Sequence, residues 1–452
     1  MSKAFTAVPS DAPAKGRTDL YSPRYRWYVL GLLTVVFAFS HMDRNIIAIL
    51  LNSIASDLKL TDAQAGAISG LAFATTYILL GIPLAWAADR HKRKRIISAS
   101  LAVWSVMTAL CGLTQNMWQL FLARMGVGLG EAGCVPAAQS IIADYVPRER
   151  RALAMAIFGL GVPIGTLAGF AIGGLVNDAH GWRAALFIVG VPGLLVAALL
   201  QKTLREPPRG MSDKAEPAGK DSLPTFWETL AFLMKRRTLV HLTIGTSLIV
   251  FGGYGSQTWI PAFYERSHGL TSGQIGLWLG PSLVAGGVGG TLLGGWLADK
   301  LAVKDARWYV WIPAIAMIPA IPISALVLLL PTTIYTVFGI PVHTYVISIA
   351  LMAVPGAAYS CYLGPVNALI QQIVAIRMRA TAVAIFLTFT NLVGMGLGPY
   401  VIGDVSDFMA ARFGHESLRY TMLSFLFIYA WAAFHFYLAG RHIKTDLDVL
   451  DR

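Results

Sequence analysis

The sequence predicts an all-α membrane protein of twelve transmembrane helices in two six-helix bundles, and three observations carry that prediction. The chain of 452 residues is 56% hydrophobic and only 13% charged, against roughly 45–50% and about 25% in soluble domains. Its apolar residues come in runs of roughly twenty, enough helix to cross about 30 Å of hydrocarbon. Short motifs from the first half recur in the second. A β-barrel is excluded, because barrel strands alternate over about ten residues and these runs are continuously apolar for twice that length.

Taken in order, the runs place helices at 27–51, 63–88, 96–114, 117–144, 152–177, 183–202, 238–264, 272–298, 308–330, 343–374, 380–404 and 417–440. The first follows a polar tail, residues 1–26, and is too long for a signal-peptide core, so the N terminus is expected to be retained. Helices 1–6 make an N-terminal bundle, 27–202, and helices 7–12 a C-terminal bundle, 238–441. Between them lies a polar cytoplasmic linker, 203–237, with Pro207, Pro208, Pro217 and Pro224. A second cytoplasmic tail, 442–452, closes the chain. With Arg183, Lys202 and Arg419, at span ends, counted with the adjoining loops, the 36 Lys and Arg fall 29 in the tails and even-numbered loops, 5 in odd-numbered loops and 2, Arg44 and Arg124, inside spans. Both termini are therefore expected in the cytoplasm.

That distribution also explains the net charge of +12 without nucleic acid, which is not expected as a partner. Cys111, Cys134 and Cys361 all lie in apolar runs and imply no disulfide framework. No P-loop, HExxH pair or GxSxG elbow occurs, and Gly128-Leu-Gly130-Glu131-Ala132-Gly133 sits in an apolar helix with no preceding strand, so no enzyme and no cofactor are expected.

The internal repeat is explicit. Trp86-Ala-Ala-Asp89-Arg90 closing helix 2 recurs as Trp296-Leu-Ala-Asp299-Lys300 closing helix 8, and Arg151-Ala-Leu-Ala-Met-Ala-Ile-Phe158 opening helix 5 recurs as Arg379-Ala-Thr-Ala-Val-Ala-Ile-Phe386 opening helix 11. An even number of spans per half makes the repeats parallel, about an axis along the membrane normal.

The segments Asp89-Arg90-His91-Lys92-Arg93-Lys94 and Gly295-Trp296-Leu297-Ala298-Asp299-Lys300 resemble the loop motif of the major facilitator superfamily, once per half. Ala85 departs from the glycine usual in the first copy. Within that superfamily, His41-Met42-Asp43-Arg44-Asn45, Arg124-Met-Gly-Val-Gly128-Leu-Gly130-Glu131-Ala132-Gly133 and Pro147-Arg-Glu-Arg150 resemble the Spinster family. The resemblance implies the major facilitator fold and movement of lysophospholipids or sphingolipids, sometimes with proton coupling. It carries Asp43, Arg44 and Glu131 over as functional charges and Arg124 as the helix 4 arginine.

Independently of any family, Asp43, Arg44, Arg124 and Glu131 are the charges well inside the spans. Each costs about 2.5–3.5 kcal/mol on insertion scales, so they are expected to pair and line a wet cavity. Asp43 lies ~25 Å and Glu131 ~20 Å along their helices from opposite ends, both near mid-membrane. Asp43 and Arg44 diverge by about 100°, so that one can face helix 4 and the other the cavity. Burial favours a neutral carboxyl and a neighbouring arginine a charged one, so Asp43 or Glu131 is the expected proton carrier, and Arg44, with Arg124, the expected contact for a substrate phosphate. A permanent ion-pair cluster fixing helices 1 and 4 is the competing reading.

Further expected substrate contacts are Tyr254 and Gln257 in helix 7, Tyr359, Tyr362 and Asn367 in helix 10, and Asn391 in helix 11. Each could equally be an interhelical hydrogen bond. Asp89, Arg90, Arg93, Asp299 and Lys300 are expected to gate. Asp89 would cap the N terminus of helix 11, and Asp299 that of helix 5. Gly161, Gly165, Gly169 and Gly173 form a small-residue stripe suited to close helix packing. The chain is expected to be a monomer in a bacterial inner membrane, surrounded by membrane lipids, exchanging protons and an amphipathic small molecule or lipid. Two alternatives stay open: an exporter of small organic anions or drugs, and a non-transporting receptor or scaffold.

Overall fold

In the computed structural model, residues 21–209, 211, 225–337, 340–374 and 378–448 are described. Helix 1 is Pro23–Leu58, opened by Ser22, whose side chain accepts from the Tyr25 N–H, with proline in the first turn. Helix 2 runs from Asp62 to Arg90, interrupted by a π-helical turn at Ile68–Ala72. Helix 3 is Arg93–Cys111, beginning three residues before the apolar run because the basic loop supplies its first turn. Helix 4 is Met117–Glu131 followed, after a break, by Cys134–Tyr145. Helix 5 begins as Arg148–Gly159 and continues into Gly161–Thr203, which Gly181 (φ 81°, ψ 167°) divides into the rest of helix 5 and helix 6. Only glycine adopts that backbone without strain.

The C-terminal bundle comprises helix 7, Arg237–His268; helix 8, Ser272–Leu301; helix 9, Trp308–Leu329; helix 10, in three pieces, Thr344–Leu351, Ala353–Ser360 and Leu363–Ile373; helix 11, Arg379–Asn391, a π turn at Leu392–Leu397, then Gly398–Phe413; and helix 12, Ser417–Ser424 and Phe427–Asp448.

Two elements add to the expected helices. Ile334–Val337 pairs antiparallel with Ile340–His343 between helices 9 and 10, where β-branched residues concentrate. Phe226–Lys235 forms a short helix inside the linker, capped by Thr225 and Glu228, with Phe226, Trp227 and Met234 exposed. The first linker residues are not a free tether: the Tyr25 hydroxyl donates to the Thr203 carbonyl, and the Tyr145 hydroxyl to that of Arg205.

The glycine stripe packs on helix 1. A Cβ at Gly161, Gly165 or Gly169 would meet the segment Phe37–Asn45, and one at Gly173 would meet Ile46 and Ile49. Contacts between the bundles concentrate at the distal end, away from the start of helix 1 and the end of helix 12. There Trp259, Ile260, Phe263, Tyr264, Ile275, Leu279, Met395 and Ile402 join the apolar core of the N-terminal bundle.

Candidate functional site

Two ion pairs sit midway along helices 1 and 4. The Arg44 Nε–H donates to Glu131 Oε2 at 2.7 Å, and Ser40 Oγ donates to the same oxygen at 2.8 Å. Asp43 Oδ1 accepts from Thr108 Oγ1 at 2.7 Å, while its Oδ2 lies 3.9 Å from Arg124 Nη1. Helices 1 and 4 thus meet twice, two turns apart, and helix 3 contributes Thr108. Both adjacent residues of helix 1 engage helix 4, where their divergence of about 100° placed one toward helix 4 and the other toward the cavity. Long side chains and the axial stagger of Arg124 and Glu131 make the double engagement possible.

Exposure separates the four. The side chains of Asp43, Arg124 and Glu131 are 1–2% exposed, and that of Arg44 is 17% exposed. The Arg44 guanidinium lies 4.8 Å from the centroids of both Phe73 and Tyr77, and Arg124 lies 5.5 Å from that of Phe73, so helix 2 supplies an aromatic wall to both cations. Asp43 Oδ2, Glu131 Oε1 and Arg124 Nε are buried without a hydrogen-bond partner in the protein. His41 packs on Phe37 and bonds to that residue's carbonyl within its own helix.

From the other bundle, Gln257 Nε2 donates to Asn45 Oδ1 at 2.7 Å, one residue from Arg44. Gln257 and Tyr359 also line a cavity of about 640 Å³ among helices 7, 8, 9, 10 and 12, with Ser256, Leu283, Val327, Met352 and Tyr429. Tyr362 lies beside Tyr359, ring centroids 6.2 Å apart, and half-buried Tyr254 packs between the two bundle cores. Asn367 is exposed and donates to the Leu363 carbonyl of its own helix, and Asn391 makes no hydrogen bond among the described residues. These two are not brought to the charged cluster by any contact.

The expected gate residues divide. The Asp89 side chain lies outside the described residues. Asp299 is exposed and does not cap helix 5, Lys300 lies over Trp296 and Arg90 over Trp86. Arg93 departs from the expectation. It is buried inside the N-terminal bundle, donating to Asp144 Oδ2 at 2.5 Å, Glu206 Oε1 at 2.9 Å, Ser140 Oγ at 2.8 Å and the Pro207 carbonyl at 3.0 Å. A cation this buried needs such partners, and they tie the linker to its own bundle.

Sequence reasoning missed the distal end, where the bundles are latched. The carboxylate of Asp407, in helix 11, accepts from the backbone N–H groups of Asp62 (2.9 Å) and Ala63 (2.8 Å) at the N terminus of helix 2. Asp178, in helix 5, accepts from the Gly273 N–H (3.0 Å) at the N terminus of helix 8. Arg266 grips both oxygens of Asp62 at 2.8 Å and reaches Asn52 at 2.9 Å. The signal was present: Leu60-Thr61-Asp-Ala-Gln64-Ala-Gly66 recurs as Leu270-Thr271-Ser-Gly-Gln274-Ile-Gly276. Both copies form capping boxes. Gly66 abuts the backbone of Pro399, and Gly276 that of Phe170. Among the described residues, every hydrogen bond between bundles lies at mid-membrane or at this distal end.

The sequence pattern of the Major Facilitator Superfamily matches residues 33–399. The chain belongs to the major facilitator superfamily. It is thus a multi-pass membrane transporter and not an enzyme, with two related six-helix bundles. It is 32% identical over 445 residues to an MFS-type efflux pump of Mycolicibacterium smegmatis, covering 98% of this chain and 99% of that protein. Protein spinster homolog 3 of Danio rerio is 26% identical over 459 residues, covering 97% and 89%. A crystal structure of a bacterial homolog to the human lysosomal transporter Spinster, inward-facing and unoccupied, superposes with a TM-score of 0.82 at 31% identity, covering 94% of this chain and 99% of that one. The chain is a Spinster-like secondary transporter.

Proposed function

We propose that this transporter works by alternating access and moves an amphipathic, lipid-like anion of the lysophospholipid or sphingolipid type, coupled to protons through Asp43 and Glu131. The observation that carries the reading is the accessibility of Arg44, alone among four mid-membrane charges. Its partner Glu131 holds only Nε. A phosphate can therefore approach the guanidinium on its partly exposed side, and protonating Glu131 would release the cation to it. The orphaned oxygens of Asp43 and Glu131 support the proton role, since a buried, unpartnered carboxylate oxygen costs more than a neutral carboxyl. The apolar cavity beside Gln257 and Tyr359 suits the acyl chain.

Basic loops turned inward would put both termini in the cytoplasm and the distal latches on the outer side, an arrangement that corresponds to an inward-facing state. Asp89, Arg90, Asp299 and Lys300 would act as the inner gate when the bundles rock, with Asp299 reaching helix 5 only in the outward-facing state. Arg93 would hold the linker. A second reading, export of small organic anions or drugs, draws on the efflux-pump name of the Mycolicibacterium smegmatis relative.

The test is binding. Detergent-purified protein is mixed with a fluorescent lysophosphatidic acid and, separately, with short-chain organic phosphates. Tight binding of the lipid alone, lost in Arg44→Ala, supports the lipid reading. Equal binding of the short-chain phosphates moves the assignment to small anions.

A further inference from the structure

A second cleft, of about 650 Å³, lies outside the charged cluster. It is lined by Pro23, Arg26, Trp27 and Leu30 of helix 1, Val146 and Pro147 of the turn after helix 4, and Arg150, Leu153 and Ala154 of helix 5. Its two cations contrast with their neighbours at this end. Arg93 is held by Asp144 and Glu206, Arg209 by the carbonyls of Ala88 and His91, and Arg205 lies over Tyr25. Neither Arg26 nor Arg150 has a carboxylate or hydrogen-bond partner for its side chain among the described residues, and Arg26 Nε is buried without one.

The rest of the lining is apolar, and Trp27 and Leu153 are exposed on the bundle surface. Soluble anions gain nothing from such a wall, whereas an acyl chain does. The cleft sits where helices 1 and 5 begin, at the level where a tryptophan belt meets the headgroups. A zwitterionic headgroup brings its own cation and leaves two arginines uncompensated. A net-negative headgroup does not.

We propose that this cleft is a binding site for an anionic diacyl phospholipid, with the phosphate between Arg26 and Arg150 and an acyl chain along Trp27, Leu30 and Leu153. It is separate from the transport site, and its bound lipid is structural and not cargo. The site joins helix 1 to helix 5 at the end where their glycine-mediated packing begins.

The test uses the full-length, delipidated protein and native mass spectrometry during titration with phosphatidylglycerol or phosphatidylcholine. At roughly fivefold per interfacial cation, wild type should prefer phosphatidylglycerol by about 25-fold. Arg26→Gln/Arg150→Gln should lose that preference while keeping the wild-type melting temperature. Leu153→Trp, which fills the cleft and leaves both cations, should weaken binding of phosphatidylglycerol. Preference unchanged in the double variant overturns the proposal. So does competition by soluble glycerol phosphate as strong as by the lipid. Lipid binding that rises on deleting residues 1–20 would also overturn it, by giving the cleft to the N-terminal tail. Lysophospholipid transport by the double variant at wild-type rate is expected, so failure of this site and failure of the transport reading are told apart.

Discussion

Replacing Asp407 by alanine removes two charge-assisted hydrogen bonds that cross from helix 11 to the first turn of helix 2, at 2.9 and 2.8 Å. Each such bond contributes about 1.5–3 kcal/mol. Asp407 is only half-buried, so water recovers part of the loss, and the net weakening of the distal seal is about 2–3 kcal/mol. An equilibrium between proximal-open and distal-open forms would then shift toward the distal-open form by about 30- to 150-fold, at 1.4 kcal/mol per tenfold. Spin labels on Ser56→Cys and Ala411→Cys, both exposed and on opposite bundles, report the distal separation by pulsed electron resonance. The three native cysteines are buried and should label poorly. The expected result is a longer-distance population that is minor without Asp407→Ala and dominant with it. Asp407→Asn, which keeps an acceptor without the charge, should fall between. Distance distributions identical in all three proteins would refute the latch.

Three further outcomes follow from the packing. Gly165→Leu forces a side chain into helix 1 at Ala38 and His41 and should lower stability by at least ~1–3 kcal/mol; Gly31→Leu, with open space around it, should leave the melting temperature unchanged. Gln257→Ala deletes the mid-membrane bond to Asn45, worth about 1 kcal/mol, and should shift the same spin-label equilibrium by about fivefold without loss of expression. Arg93→Ala strands Asp144 and Glu206 and should cost about 3–5 kcal/mol, read as a lower melting temperature. Arg93→Lys should not restore it, because one ammonium cannot replace the four-way contacts.

Span number, repeat relationship and the mid-membrane charges were legible because the bilayer enforces them. Apolar length is set by thickness, and an unpaired charge is too costly to scatter. Pairing was less legible. The sequence put Asp43, Arg44, Arg124 and Glu131 at one depth, but which carboxylate meets which arginine depends on axial stagger and on Ser40 and Thr108, whose residue types carry no signal. Arg93 misled because a basic loop residue looks like its neighbours until Glu206, far along the chain, folds back on it. The distal latch was legible in principle through the recurring Thr-x-x-Gln-x-Gly at Thr61 and Thr271. Its acceptors, Asp178 and Asp407, sit at helix ends where a carboxylate is ordinary, so only the fold identifies their partners. Asn367 and Asn391 were picked on polarity alone, and a polar residue in a helix has its own backbone as a competing partner.

The central claim is best tested by flux. Liposomes enclosing a pH dye and carrying wild-type protein or Asp43→Asn are given a labelled lysophospholipid under an imposed proton gradient of either direction. The account predicts that wild type moves the lipid together with protons, and that folded Asp43→Asn binds it but loses gradient-driven movement. Folded wild type that moves no lipid in either direction, or Asp43→Asn that retains full proton-driven transport, would contradict it.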